Sequence, residues 1–367
     1  MNADADALRI IDVNLNRARE ALRVIEDYAR FTLDDAAAAA AVKGCRHGLR
    51  VIAEAAGADA LLAARDIVGD VGRAAKTASE LERGGAEDIV RAAFGRVSEA
   101  ARSLGEYGKL VSAEAAAAAE QLRYRAYELE QRVALRGTLR RRWRQVRLYV
   151  LITESLCRRP WLEAAEAAIR GGAGCLQLRE KGLPDGELLA RARRLRELTT
   201  ARGVLLAIND RPDIARLARA DVVHVGQDDL SVSEVRRIAG AALLVGKSTH
   251  TLGQFATALT EEPDYLAVGP MFATGTKPQD HIAGPATLAA ARAQTALPLV
   301  AIGGITVENA GDVWAAGADA IAVCHSVIAS EEPEAAARAL LGEQTERAGR
   351  TRSGARSREP SGPAAPA

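Results

Sequence analysis

An α/β fold, a (β/α)8 barrel preceded by an all-helical domain, is what this sequence predicts. Three observations carry that reading. Residues 147 to 342 alternate short apolar runs with longer helical patterns, the rhythm of a parallel sheet whose strands are joined by crossover helices. Eight runs of this kind can be counted, the number that closes a barrel. Before them, residues 8 to about 135 keep apolar side chains three and four apart with few β-branched clusters, and the 367 residues exceed the roughly 150 of one domain.

The helical domain is set at 1–136. Leu8, Ile11, Leu15, Ala18, Leu22 and Ile25 mark one face of its first helix, and an alanine-rich helix from Ala113 to Leu135 ends it. A basic linker is expected over 137–146, inside a cluster of five arginines at 136, 140, 141, 142 and 144. Without interleaved aromatics that cluster reads as a solvated linker rather than a nucleic-acid contact. The barrel follows over 147–342. Its strands are expected at 147–153, 174–179, 204–209, 221–226, 243–248, 265–270, 298–303 and 320–325. Gly171-Gly172-Ala173-Gly174 precedes its strand, whereas a dinucleotide loop must follow one, which argues against an open Rossmann sheet. Residues 343–367, rich in Arg, Ser, Gly, Pro and Ala, lack periodicity and are expected to be a disordered tail.

Composition narrows the function classes. The 49 Lys and Arg against 48 Asp and Glu leave no global field to attract nucleic acid or an acidic membrane. Four scattered cysteines, Cys45, Cys157, Cys175 and Cys324, show neither zinc spacing nor a disulfide framework, which suits a reducing cytoplasmic compartment. The acidic start and the lack of an apolar stretch of about 18 residues predict a soluble protein without signal peptide or membrane span.

The chemistry is expected where barrel strands end, since that rim forms the active face. Strand two ends in Gln177-Leu178-Arg179-Glu180-Lys181, placing an amide and two cations at a strand-to-loop junction. Strand three ends in Asn209-Asp210, and strand four carries His224 and runs into Gln227, Asp228 and Asp229. Arginine forks and lysine charges bind phosphate oxygens, while carboxylates at the same rim are the hard oxygen ligands of Mg2+, so a magnesium-diphosphate substrate is expected. Strand five gives Lys247, Ser248 and His250, and strand six leads into Thr274-Gly275-Thr276-Lys277, whose hydroxyls and ammonium suit anionic oxygens. The glycines after strand seven, Gly303 and Gly304, with Cys324 and His325 after strand eight, mark the loops that bind a phosphomonoester in many barrels. Each residue also has a plainer reading. Asp210 and Asp229 could be helix caps and Arg179 and Lys181 a solvated loop. His224 is read as orienting its neighbours, and His250 as a hydrogen-bonded structural histidine.

These motifs, in this order and spacing, make the barrel half from about Arg147 to Leu341 resemble thiamine-phosphate synthase, which joins a hydroxymethylpyrimidine diphosphate to a thiazole monophosphate. The resemblance implies Mg2+ on Asp210 and Asp229, and a diphosphate gripped by Arg179, Lys181, Asn209 and Lys277. It implies further that Gln177 and Ser248 meet the pyrimidine, that Thr274, Gly275, Thr276 and Gly304 meet the thiazole phosphate, and that Leu178 and Glu180 bind substrate beside them. Arg179, Lys181, Lys277 and Ser248 are its catalytic candidates. Cys324 and His325 depart from the apolar residue and serine usual after strand eight, and Lys247 is an unusual charge, read as a further diphosphate ligand. Expected partners are then small phosphorylated pyrimidine and thiazole molecules, with no nucleic acid and no membrane, and a homo-oligomer is allowed.

In the helical half, Arg17, Glu20, Ala21, Arg23, Asp27, Tyr28 and Arg30 recur 79 positions on as Arg96, Glu99, Ala100, Arg102, Glu106, Tyr107 and Lys109. The two polar lines could face one cleft or simply form intrahelical ion pairs. Residues 11–31, Ala64-Arg65-Asp66 with Asp70-Val71-Gly72, and Leu122 to Glu128 resemble a helical domain found alone or fused ahead of thiamine-phosphate synthases and associated with phosphorylation of hydroxymethylpyrimidine phosphate. That resemblance implies a bifunctional chain, with Asn14, Arg17, Glu20, Arg23 and Asp66 as its candidate residues, although no Walker loop is visible. Two other functions stay open: a thiazole tautomerase relative, which would not need the carboxylates and diphosphate cations, and a non-catalytic regulator that binds thiamine precursors.

Overall fold

The computed structural model describes residues 5–33, 35–66, 83–240, 242–273 and 281–342. The chain divides into two compact units, Met1–Arg141 and Arg142–Ala367. The tail at 343–367, the Thr274-to-Lys277 loop and Asp70 to Gly72 fall outside the described residues.

The first unit is helical: α1 Ala5–Phe31, α2 Ala36–Ala56, α3 Ala58–Ala64, α4 Ala86–Gly108 and α5 Ala113–Glu130. The apolar stripe expected on α1 is the buried one, with Ile11, Leu15, Ala18, Leu22 and Ile25 at most 2% exposed. It packs in one cluster with Val90, Phe94, Val97 and Leu104 of α4 and with Ala115, Ala119 and Ala126 of α5. Each large aliphatic so buried stabilises the fold by roughly 2 kcal/mol. Asp35 starts α2 by accepting from Ala38 N at 2.8 Å, and Ser112 does the same for α5 through Ala115 N at 3.0 Å.

The expected linker at 137–146 is largely helix. The chain leaves α5 through a π-helical turn, Gln131–Arg136, and continues as α6, Gly137–Trp143. The arginines there are engaged rather than simply solvated: Arg140 reaches Asp35 at 2.5 Å, Arg132 the same carboxylate at 3.4 Å, and Arg141 pairs with Glu87. Burial tends to raise the Asp35 carboxyl, but the Ala38 amide and the arginines outweigh it and hold it below the usual range. Composition counted the charges without showing that a carboxylate 97 residues before Arg132 and 105 before Arg140 would meet them.

The second unit is a closed barrel of eight parallel strands in sequence order: β1 Leu148–Ile152, β2 Cys175–Leu178, β3 Leu205–Asn209, β4 Val222–Val225, β5 Leu244–Thr249, β6 Tyr265–Val268, β7 Leu299–Ile302 and β8 Ala320–Val323. All lie within the spans expected, apart from one residue added to β5. The connecting helices are α7 Trp161–Arg170, α8 Asp185–Arg202, α9 Pro212–Leu217, α10 Val232–Ala239, α11 Leu252–Thr260, α12 Gly284–Arg292, α13 Ala310–Ala315 and α14 His325–Ile328, with a further helix from 333 to 342. The main core lies between sheet and helices, where Val150, Leu176, Leu206, Val223, Leu266 and Ile321 meet the helix faces. Alternate residues point into the lumen, among them Tyr149, Gln177, His224 and Tyr265, all at most 6% exposed.

Candidate active site

Period two along each strand decides which rim residues can reach a ligand. On β2 it turns Gln177 into the lumen and Leu178 outward into the core, at 1% exposed. A substrate contact by the Leu178 side chain is therefore corrected. Glu180 has a structural tie at the rim: its Oε1 accepts from Glu154 N at 2.7 Å and pairs with Arg191 at 3.2 Å, linking the loops after β1 and β2 to α8. On β5 the same alternation turns Lys247 away from the rim. Its ammonium donates to Glu261 at 2.5 Å, which removes it as a diphosphate ligand.

Lys181 and Asp210 do meet, with Nζ 3.5 Å from Oδ2. Asp210 adopts φ +60°, unusual for a non-glycine residue, and its backbone N donates to His224 O at 2.9 Å. Burial raises the Asp210 carboxyl, and Asp229 raises it further by hydrogen bond and like charge, against the opposing pull of Lys181. Asp229 in turn accepts from Gly226 N at 2.7 Å, closing the β4 turn. Two carboxylates set against each other beside an ammonium fit a hard divalent cation, which would relieve their repulsion. Neither Asp caps a helix: α10 is capped by Ser231 and Glu234, and α9 begins at Pro212.

Arg179 anchors its loop through the backbone, donating from N to Ile152 O at 2.9 Å and accepting at its carbonyl from Thr153 Oγ1 at 2.7 Å, which leaves its half-buried side chain at the rim. Its guanidinium bears on Cys324, whose thiol burial nevertheless pushes up to about 11. Burial likewise raises Cys157 to about 12, so neither rim thiol is a ready nucleophile. Asn209 is half-buried at the end of β3, and its carbonyl accepts from Arg211 N at 2.8 Å.

The loops after β6 and β7 are strapped together, with Met271 N donating to Ile302 O at 2.9 Å and Phe272 N to Gly303 O at 3.0 Å. Gly304, at φ +66°, lies so close to the carbonyls of Phe272 and Ala273 that a Cβ would overlap them. His325 is exposed in the first turn of α14, and Ser326 Oγ donates to Ile305 O. His250 Nδ1 must carry its hydrogen, because its 2.6 Å partner, Gly269 O, can only accept.

Inside the lumen lies a feature the sequence reading missed. Gln177 Nε2 donates to Tyr149 Oη, which is 3.4 Å from Tyr265 Oη; Tyr265 is 2.8 Å from His224 Nδ1; and His224 Nε2 is 2.8 Å from Ser248 Oγ. Gln227 Nε2 donates to the Ser248 carbonyl at 2.5 Å. Burial lowers His224 to about 4 and raises both tyrosines. The available signal was a tyrosine at an inward position of two otherwise apolar strands.

In the helical unit, Arg23 pairs with Asp27 at 3.7 Å and Arg102 with Glu106 at 3.6 Å, each along its own helix. Arg17 and Glu20 are exposed, and Asn14 donates to Ile10 O within α1. Asp66 pairs with Arg9 at 3.5 Å, near a bidentate Asp12–Arg65 bridge at 2.7 Å that residue spacing did not reveal. Within the repeat, the Arg23–Asp27 and Arg102–Glu106 positions form intrahelical ion pairs.

A closed parallel barrel whose cations, carboxylates and glycine turns gather at the carboxyl ends of its strands is a (β/α)8 enzyme suited to anionic small molecules. The family described as thiamine monophosphate synthase matches residues 148–327, and the ThiD2 family matches residues 9–132. A thiamine-phosphate synthase of Thermosynechococcus vestitus is 42% identical over 91% of this chain and 93% of its own length; one from Gloeobacter violaceus is 40% identical over 89% and 93%. A solved thiamine phosphate pyrophosphorylase from Pyrococcus furiosus aligns with TM-score 0.52 and 32% identity, covering 57% of this chain and 98% of that one. The chain belongs to the thiamine-phosphate synthase family and is a transferase of thiamine biosynthesis. Among the described residues no helix is long and apolar enough to cross a membrane.

Proposed function

We propose that the barrel joins 4-amino-2-methyl-5-hydroxymethylpyrimidine diphosphate to hydroxyethylthiazole phosphate, giving thiamine phosphate and pyrophosphate. The observation that carries this reading is the Asp210–Asp229 pair beside Lys181 at the ends of β3 and β4. Asp210 and Asp229 would hold Mg2+, which when bound supplies positive charge to the diphosphate oxygens. Arg179 and Lys181 bind the same leaving group, and Asn209 orients it. By resemblance, Lys277 adds a third cation, while Thr274, Gly275, Thr276 and Gly304 hold the thiazole phosphate.

The C–O bond to the diphosphate breaks with both electrons leaving on oxygen. The amino-substituted pyrimidine stabilises the cationic methylene, and the thiazole nitrogen supplies the pair that forms the new C–N bond. Gln177 and Ser248 fix the pyrimidine so that this carbon faces that nitrogen, which makes positioning and leaving-group stabilisation the main catalytic terms.

The test mixes purified protein, both phosphorylated heterocycles and Mg2+, and follows thiamine phosphate by mass and pyrophosphate by a coupled assay. Binding of both heterocycles without pyrophosphate release would favour a precursor-binding regulator. Conversion of a thiazole isomer alone would favour a tautomerase. For the helical unit, the ThiD2 match over residues 9–132 supports a second activity, transfer of a phosphoryl group onto the pyrimidine monophosphate to make the barrel's substrate.

A further inference from the structure

We propose that Tyr265 and Tyr149, neither of which reaches the rim, are positioning residues: the hydrogen-bond chain through the lumen runs in one direction and makes the Ser248 hydroxyl a hydrogen donor to the substrate. Donor counting along the chain gives the direction. Gln177 Nε2 donates to Tyr149 Oη, and the remaining partner of that hydroxyl is Tyr265 Oη at 3.4 Å, so we assign the Tyr149 hydrogen to Tyr265. The Tyr265 hydrogen is then committed to His224 Nδ1 at 2.8 Å. An imidazole whose Nδ1 accepts must carry its hydrogen on Nε2, so His224 donates to Ser248 Oγ at 2.8 Å. With a lone pair engaged there, the Ser248 hydrogen is free to point at the rim. A chain running the opposite way would make the same hydroxyl an acceptor and change which ring atom it can recognise.

The packing of Tyr265 supports its role. Trp143 stacks on its ring at 4.1 Å between centroids and 25° between planes, and His224 stacks at 5.5 Å and 22°. Gly246, the residue of β5 paired with Tyr265, leaves the space its hydroxyl end occupies, since a Cβ there would overlap that ring. Burial of Tyr149, Tyr265, Gln177 and His224 excludes the water that would let these groups reorient. The chain joins Gln177 to Ser248, so the two residues assigned to the pyrimidine are set together. This last point rests on the function proposed above, but the direction of the chain does not.

The experiment uses the full chain, 15N-labelled at its five histidines, without substrate. Two-bond 1H–15N correlations are expected to show His224 protonated on Nε2. Tyr265→Phe keeps the stacked ring and removes the donor, and is expected to shift His224 to the Nδ1–H form or a mixture. In turnover it should lower kcat roughly tenfold while leaving KM for the thiazole phosphate unchanged. Gly246→Ala, which displaces the hydroxyl without removing it, should reproduce both effects. An Nδ1–H tautomer in the unsubstituted protein, or a tautomer and kcat unmoved by Tyr265→Phe, would overturn the proposal. If Tyr265→Phe does not fold, the tautomer of the unsubstituted protein decides alone. Failure of the synthase reading would abolish the turnover readout and leave the tautomer standing.

Discussion

Asp210 and Asp229 show how one neighbour decides a side chain's chemistry. Burial and the second carboxylate raise Asp210, so its folded form holds a proton more readily than its unfolded form does. A divalent cation competes with that proton. The Mg2+ concentration needed for half-maximal turnover should therefore fall as pH rises above the ordinary carboxylate range, as a Mg2+ titration at several pH values would show. Asp229→Asn removes the repulsion and a ligand together. It is expected to leave the melting temperature of the metal-free protein unchanged or higher while cutting turnover by about a hundredfold or more; full activity at limiting Mg2+ would reject the ligand assignment. His224 has the opposite sign. Its pKa near 4 in the folded state lies below the usual 6.5, so between those values the unfolded chain binds more protons and stability rises with pH. The contribution is complete above about pH 6.5, is lost as pH falls towards 4, and amounts at most to about 3 kcal/mol. His224→Gln should flatten the fall in denaturant midpoint over that window, the nearby Asp229, Tyr265 and Ser248 being unchanged.

At the scale of elements, the strands were legible because each is a short apolar run bounded by turn residues, and a wrong count would not have closed a barrel. The rim was legible because loop residues at strand ends lack an apolar reason to be there. What sequence did not give was the facing of particular side chains. Leu178 and Lys247 sit beside true lumen residues, Gln177 and Ser248, yet period two sends them to the other side of the sheet. The tie from Glu180 to Arg191 was equally hidden, because that partner lies on the next helix. The junction at 137–143 was read by charge, whereas its fate was set by Asp35, which starts α2 and receives Arg140 and Arg132. Asp35→Ala removes a cap and leaves two guanidinium groups without their carboxylate. It should destabilise the helical unit by about 2–4 kcal/mol, seen as an early transition in urea by circular dichroism, while Asp35→Asn, which keeps the cap, should cost less.

For the whole molecule, two units each with its own core let the two proposed activities be silenced separately. If the helical unit makes the diphosphate that the barrel consumes, silencing the barrel must expose the intermediate. The full chain with Asp229→Asn, given pyrimidine monophosphate, a nucleoside triphosphate and thiazole phosphate, should then accumulate pyrimidine diphosphate, whereas the unsubstituted chain should convert it to thiamine phosphate. Both outcomes are read by mass in one time course. Thiamine phosphate formed from supplied diphosphate, but no diphosphate in either protein from the monophosphate, would remove the kinase reading and leave the synthase intact. The converse pattern, diphosphate made but never consumed by the unsubstituted chain, would locate the error at the rim residues 179, 181, 210 and 229.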